Sequence, residues 1–321
     1  MMIKIAIAGY GNLGKSIRGL VEREEDFELV KIFTRRDPKS FNDHIFESLD
    51  NILNYKNDID LVIMALGSAK DIPEIGPRLI KDFSTLDAYD NHKMIKSYFE
   101  KIDKIAKENQ NVAFVSTGWD PGLFSFNRMM AEAIIKEGHT TTFWGRGVSQ
   151  GHSDAVRRIE GVKFAVQYTI PNQEILKNIK NDLKDYKSYE THKREVFVVA
   201  EQDADKERIE REIKTMPDYF SNYETEVNFI SEEEFKKDHN KMPHGGHVVR
   251  VGLGLDSHTQ MISYNLDLDS NPDFTAAVCL ASARAAYRFK KEKKFGAHTI
   301  LDTPVNYFSS KSHIELIEEY L

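Results

Sequence analysis

A chain of 321 residues with 40% apolar and 30% charged side chains has material for two cored domains and is too apolar to stay disordered. Its 44 basic against 51 acidic residues give a net charge of -7, the wrong sign for a protein built to grip phosphate backbone, so nucleic acid is set aside as a partner. No apolar run reaches the roughly 18–20 residues that span a bilayer. The chain also opens on a strand-like segment rather than a leader, and its single Cys279 excludes an internal disulfide, so a cytoplasmic globular protein without a membrane partner is expected.

Ile3–Ala8 reads as a buried strand. Gly9-Tyr10-Gly11-Asn12-Leu13-Gly14 follows at once, and Ile17, Leu20 and Val21 then recur on one helical face. Strand, G-x-G-x-x-G and helix in that order are what a dinucleotide fold requires. Gly9 permits the tight turn, Gly11 leaves no side chain between backbone and pyrophosphate, and Gly14 lets helix and strand pack closely. The bland alternative is a glycine-rich turn in some other α/β domain. A second strand, 27–33, ends at Thr34-Arg35-Arg36. An NAD-binding chain places an acid here to bond the ribose hydroxyls. This one delays its first acid to Asp37, behind two guanidiniums suited to a 2′-phosphate, so NADP is expected rather than NAD.

Residues 60–67 form a third buried strand, 81–87 a weaker one, 94–110 a polar helix and 111–116 another strand. The alternation implies a Rossmann-type, doubly wound parallel sheet, whose ligands bind beyond the carboxyl ends of the strands. Those ends are 9–14, 34–36, Gly67-Ser68, Tyr89-Asp90-Asn91 and 117–120. After about residue 140 the pattern changes. Segments 143–148, 161–170, 193–200, 223–230, 247–253 and 260–268 read as an α+β domain with an open, mostly antiparallel sheet, interrupted by a helix over 205–214. Asn271-Pro272 starts an amphipathic helix that is expected to return to the first domain. The expected division is therefore a dinucleotide-binding domain over 1–120 completed by 271–321, and a dimerisation and substrate domain over 121–270.

Asp90 and Asp120 sit at strand ends near the nicotinamide position, where an acid pair suits a substrate ammonium and its proton as the amine becomes an imine. Arg194 precedes a strand, in place to clamp a carboxylate, and the glycines of His244-Gly245-Gly246-His247 permit close backbone approach to a ligand. Each of these, taken singly, is also at home as a surface or satisfied polar residue. No zinc site is expected, since His244 and His247 lack a completing Cys or carboxylate cluster. His152-Ser153-Asp154 holds triad residue types without triad spacing, and Cys279 lies at a core position of the last long helix.

The whole pattern resembles the meso-diaminopimelate dehydrogenase family. The matching segments include Gly9-Tyr10-Gly11-Asn12-Leu13-Gly14, Phe33-Thr34-Arg35-Arg36, Gly67-Ser68-Ala69-Lys70-Asp71 and Tyr89-Asp90-Asn91-His92. Further along are Ser116-Thr117-Gly118-Trp119-Asp120-Pro121-Gly122, Phe143-Trp144-Gly145, Ser149-Gln150-Gly151-His152-Ser153-Asp154 and Gln167-Tyr168-Thr169. Thr191-His192-Lys193-Arg194, Met242-Pro243-His244-Gly245-Gly246-His247 and Asn271-Pro272-Asp273-Phe274-Thr275 complete the series. The resemblance implies reversible NADP-dependent oxidative deamination of the D-centre of meso-2,6-diaminopimelate to L-2-amino-6-oxopimelate and ammonium, by a homodimer. It implies Asp90 and Asp120 at the reacting D-centre, with Trp119, Trp144, Gln150 and Gly151 shaping that end, and Thr169, Arg194, His244 and Asn271 at the distal L-centre. Cofactor contacts are expected from the six residues of the glycine turn and from Thr34, Arg35, Arg36, Gly67, Ser68, Ala69, Tyr89 and Asn91. The stretch 251–266 departs from the family pattern in length by a residue, which leaves the register before Asn271 open. Rival readings are another NAD(P) oxidoreductase of this architecture (a dihydrodipicolinate reductase-like enzyme or a broad D-amino acid dehydrogenase) and a non-catalytic NADP sensor.

Overall fold

In a computed structural model, which describes every residue except Met1 and Ala69, the chain falls into two units, 1–126 with 272–321 and 127–271. The division lies inside the helix Leu123–Ile134.

The first unit is built on period-two alternation. In β1 (Ile3–Ala8) the side chains of Ile3, Ile5 and Ile7 join one core, and those of Ala6 and Ala8 join another. A strand buried on both faces needs helices above and below it, which is the doubly wound arrangement. The partners are β2 (Phe27–Thr34), β3 (Phe46–Ser48), β4 (Leu61–Met64), β5 (Ser84–Asp87), β6 (Val112–Phe114) and β14 (Gly296–His298). Their order, β14-β6-β5-β4-β1-β2-β3, is parallel at every pairing. The chain order reverses between β1 and β4, the switch point at which such sheets bind ligands. The helix Asn271–Lys291 returns to this unit and packs Ala276, Cys279, Leu280, Ala283 and Ala286 into the core with Ile5, Ile7 and Ile17. Two edge strands, β3 and β14, were not expected from the sequence. Three residues carry no periodicity, and these become strands only because a neighbour offers a ladder to pair with.

The second unit holds two sheets where one open sheet was expected. β8 (Gly147–Val148), β9 (Val162–Pro171), β10 (His192–Ala200) and β11 (Thr225–Phe229) form a four-stranded sheet in which only β10 and β11 run parallel. β7 (Gly138–Trp144), β12 (His244–Leu253) and β13 (Thr259–Leu268) form an antiparallel three-stranded sheet. β12 and β13 pair without a slip from His244↔Leu268 to Leu253↔Thr259. Asp256 and Ser257, with φ of 55° and 60°, turn the chain between them. That ladder sets the register of the 251–266 stretch. The core under the larger sheet gathers Val156, Ala165, Val196, Val198, Ile209, Ile213 and Phe220. The helix Lys206–Thr215 supplies Ile209 and Ile213, and Asp205 caps it by accepting the Arg208 N–H at 2.9 Å. Together the units make an α/β chain with a Rossmann-type sheet and an α+β second part.

Candidate active site

At the carboxyl end of β1 the glycines do distinguishable jobs. Gly9 has φ +102°, and a Cβ there would lie 2.3 Å from the Ala65 carbonyl oxygen. A Cβ on Gly14 would lie 2.4 Å from the Gly9 carbonyl oxygen. A Cβ on Gly11 would meet nothing within 4 Å, so this position faces open space. The helix Asn12–Val21 begins here with no side-chain cap and no acid in its first turn, and its N-terminus suits an anion. A cavity of about 330 Å³ adjoins it, lined by Gly9, Tyr10, Gly11, Thr34, Arg35, Arg36, Gly67 and Asp71 among others. Asn12 lies exposed at the helix start, and the Leu13 side chain packs against the core. An open glycine, an uncapped helix start and two arginines on one cavity wall fit a dinucleotide phosphate.

The two arginines differ in a way the sequence did not disclose. Arg35 is held by Asp71 in a fork of 2.8 and 2.6 Å, which keeps the Asp71 carboxyl below its usual range. Arg36 forms no ion pair among the described residues. Its Nη2 donates to the Tyr10 carbonyl at 2.6 Å, and its guanidinium lies 4.8 Å from the Phe41 ring centroid. Its backbone N–H donates to the buried Thr34 Oγ1 at 3.1 Å. Arg36 therefore keeps its formal charge uncompensated, while Arg35 shares a carboxylate.

Two loops follow β5 and β6. Asp90 is exposed, and its N–H donates to Ser68 Oγ at 3.0 Å, linking the β4 and β5 ends. Asn91 begins the turn into the helix Ile95–Glu108, its carbonyl accepting the Met94 N–H at 2.8 Å. Tyr89, expected at the cofactor, has its ring in the core, 4.6 Å from Tyr98, and is 2% exposed. Asp120 is half-buried in the turn Trp119–Gly122, and the Trp119 ring packs edge-on to Phe124. Ala69 lies outside the described residues.

In the second unit the structure brings two of the expected polar residues into direct contact. Thr169 and Arg194 are cross-strand partners on β9 and β10, and the Arg194 Nη1 donates to Thr169 Oγ1. The guanidinium lies 4.1 Å from the Tyr223 ring centroid and is buried, with no partner for Nε and no ion pair among the described residues. Burial disfavours its charge, pulling the pKa down. Gly147 pairs with Thr169 and lies under His244, for a Cβ there would sit 2.4 Å from the imidazole. Asn271 donates its N–H to the Met242 carbonyl at 3.0 Å, beside the strand that begins at His244. Gln150 and Gly151 are exposed at the start of the helix Gln150–Arg157. Trp144 closes β7, with its ring stacked 5.1 Å from that of His192.

Two residues here escaped sequence reasoning. His192 accepts the Trp144 N–H at Nε2 (2.7 Å), and its Nδ1 faces the Ser188 carbonyl at 2.8 Å. Burial pushes its pKa down to about 4, so it is neutral and fixes Trp144. Gln167, wholly buried, turns Nε2 toward Thr169 Oγ1 and leaves Oε1 without a partner. Orphan atoms of Gln167 and Arg194 thus flank one threonine, a polar cluster that lacks its complement. Elsewhere, the buried Cys279 thiol lies 3.3 Å from Thr117 Oγ1, and burial pushes it up to about 12. Among the described residues no cluster of His, Cys, Asp and Glu could hold a metal ion.

Comparison with known proteins gives a consistent picture. Residues 118–270 match the family model described as the diaminopimelic acid dehydrogenase C-terminal domain. A meso-diaminopimelate D-dehydrogenase from Ureibacillus thermosphaericus is 47% identical, with 99% of each chain covered. Among solved structures, diaminopimelate dehydrogenase of Corynebacterium glutamicum in complex with DAP superposes with a TM-score of 0.93 at 44% identity, covering 99% of each chain. An engineered D-amino acid dehydrogenase bound to NADP+ superposes with a TM-score of 0.88 at 42% identity, covering 100% of each.

Proposed function

The chain belongs to the meso-diaminopimelate D-dehydrogenase family, and we propose on that premise how its own residues carry the reaction. It is an NADP-dependent oxidoreductase acting on a CH–NH2 group. Meso-2,6-diaminopimelate, NADP+ and water give L-2-amino-6-oxopimelate, ammonium and NADPH, reversibly, in lysine and cell-wall precursor biosynthesis.

NADP+, when bound, accepts the hydride from the substrate carbon. Gly11 and the start of the helix Asn12–Val21 receive the pyrophosphate, and Arg36, assisted by Arg35, receives the 2′-phosphate. Gly67, Ser68, Asn91 and the backbone at Tyr89 border the cofactor. Asp120 and Asp90 hold the reacting ammonium by opposite charge and accept a proton from it as the amine becomes an imine. Trp119, Trp144, Gln150 and Gly151 shape the D-end.

Arg194 anchors the far carboxylate, and Thr169, His244 and Asn271 complete the polar set around the L-centre. The observation that carries this reading is the buried Arg194 guanidinium, which faces Thr169 without a carboxylate partner. A lone buried cation is costly, and a substrate carboxylate offsets that cost. With the L-centre held, only the D-centre hydrogen reaches nicotinamide in attack contact of roughly 3–3.5 Å. The same reading carries a homodimer, release of ammonium, and a cytoplasmic location suited to a lone, buried cysteine.

The test is absorbance of NADPH with the meso, LL and DD isomers offered separately. Rapid reduction with the meso isomer alone is expected. Comparable rates with simple D-amino acids would remove the distal clamp as the source of specificity, and tight NADPH binding without turnover would favour a sensor.

A further inference from the structure

One buried ionisable group takes no part in the chemistry described so far. Asp87 ends β5, is 1% exposed, and sits where the loops bearing Asp90 and Asp120 leave the sheet. Its Oδ1 accepts the N–H of Tyr89 at 3.0 Å, one residue before Asp90. The same oxygen accepts the N–H of Ser116 at 3.0 Å, at the root of the loop that reaches Asp120. Its Oδ2 accepts the Tyr98 hydroxyl at 3.0 Å. Its carbonyl accepts both the N–H and the hydroxyl of Thr117, at 2.7 and 2.8 Å. Two loops from different strands thus hang on one residue.

Ser116 needs such a hold. Its φ is +59°, in the left-handed region that a residue with a Cβ enters at a cost, and its buried hydroxyl has no partner. The bond to Asp87 is therefore an anchor for a backbone turn that Ser116 does not favour by itself. The surroundings are also shaped to keep the third donor. A Cβ on Gly76 would lie 2.5 Å from the Tyr98 hydroxyl, so the helix Asp71–Leu79 has a glycine where it passes that oxygen.

Stability does not explain the charge at this position. Burial pushes the Asp87 carboxyl up to about 6 despite its three donors. A carboxyl raised in the folded state favours folding at low pH and loses that contribution as pH rises through 6. Near neutrality the ionised group is thus a cost to the fold.

We propose that Asp87 is a positioning residue for the oxidative deamination, its carboxylate bridging the β5 and β6 loops so that Asp90 and Asp120 meet the reacting amine in fixed geometry. This rests on the assignment of Asp90 and Asp120 to the D-centre.

The test compares Asp87→Ala, which removes the bridge, with Asp87→Asn, which keeps an oxygen in the Oδ1 position. Asp87→Ala is expected to lower kcat for meso-diaminopimelate on the order of 10- to 100-fold, the penalty of misplaced catalytic groups. The Kd for NADP+ should change far less than kcat, since the phosphate-binding residues lie on other strands and only the Tyr89 backbone, held by Asp87, borders the cofactor. Asp87→Asn should recover most of the lost kcat, a rescue that general destabilisation does not give. Should Asp87→Ala not fold, Asp87→Ser takes its place, because its side chain is one bond shorter than the carboxylate whose Oδ1 reaches both loops. Amide exchange is measured on the same proteins, and the Ser116 N–H should exchange on the order of tenfold faster without the bridge. Wild-type kcat in Asp87→Ala or Asp87→Ser overturns the proposal, as does an Asp87→Asn variant as slow as alanine or unchanged exchange at Ser116. A wild-type protein that reduces no NADP+ with meso-diaminopimelate refutes the assigned reaction instead, and the exchange measurement still decides whether the bridge exists.

Discussion

Arg194→Met is the sharpest perturbation of the second unit. The arginine is 8% exposed, stacked on Tyr223 and bonded to Thr169, with Nε unpartnered. Methionine fills much the same volume and leaves neither a charge nor a donor. If a substrate carboxylate normally pairs with this guanidinium, truncation leaves that carboxylate desolvated and unpaired, at a cost of about 2–5 kcal/mol. At 1.4 kcal/mol per tenfold, this is a loss of roughly 30- to several-thousand-fold in kcat/KM. The loss should appear as raised KM for meso-diaminopimelate, because the distal anchor acts equally on ground and transition states. NADP+ affinity should be nearly intact. Thermal stability should hold or rise, since an unpaired buried cation is removed. Steady-state kinetics with calorimetric NADP+ titration and a melting curve give all three quantities. An unchanged KM, or a parallel collapse of KM, NADP+ affinity and Tm, would refute the anchor.

Further outcomes follow from the geometry. Arg36→Ser should lower the NADP/NAD ratio of kcat/KM about 10- to 100-fold, the worth of a charged hydrogen bond. Arg35→Ser should lower it less because Asp71 already occupies that fork; equal effects would discard the distinction. Asp120→Asn should lower kcat on the order of 10²–10⁴-fold with the Kd for NADP+ unchanged, and a normal kcat would remove Asp120 from the proton path. Cys279 should resist thiol reagents in the native protein, because it is fully buried with its pKa near 12, and Cys279→Ala should remain active. His152 and His192, both pushed down to about 4 by burial, stabilise the fold fully above their unfolded pKa near 6.5. That contribution falls as pH drops from 6.5 towards 4, so Tm should decline over this window, and less steeply in His192→Gln.

What the sequence disclosed and what it hid divide along distance in the chain. The positive φ of Gly9 and the closeness of Gly14 to the Gly9 carbonyl arise within one turn that spacing reveals, whereas the Ala65 carbonyl that Gly9 also clears lies far along the chain. β1 announces both its cores through alternation. Arg194 and Thr169 were picked out singly, but only the antiparallel register of β9 and β10 brings them together. The role of His192 comes from contacts that no local pattern records, such as the bond from the Trp144 N–H across 48 residues, and that of Gln167 from a burial that residue type does not announce. The engagement of Arg35 by Asp71 is hidden for the same reason. Alternation likewise identifies strands without naming their neighbours, which is why one open sheet was expected where two exist. Asp87 read as the tail of a weak strand, since burial, not residue type, makes it unusual.

The claim at the centre is that the far L-centre is held so that hydride leaves only from the D-centre. Meso-diaminopimelate deuterated at Cα of one centre or the other, oxidised with NADP+, tests it directly by mass spectrometry of the reduced cofactor. Deuterium should reach the cofactor from the D-labelled substrate and stay behind in the L-labelled one. Transfer of deuterium from the L-centre would contradict the assignment of Arg194, Thr169, His244 and Asn271 to that end.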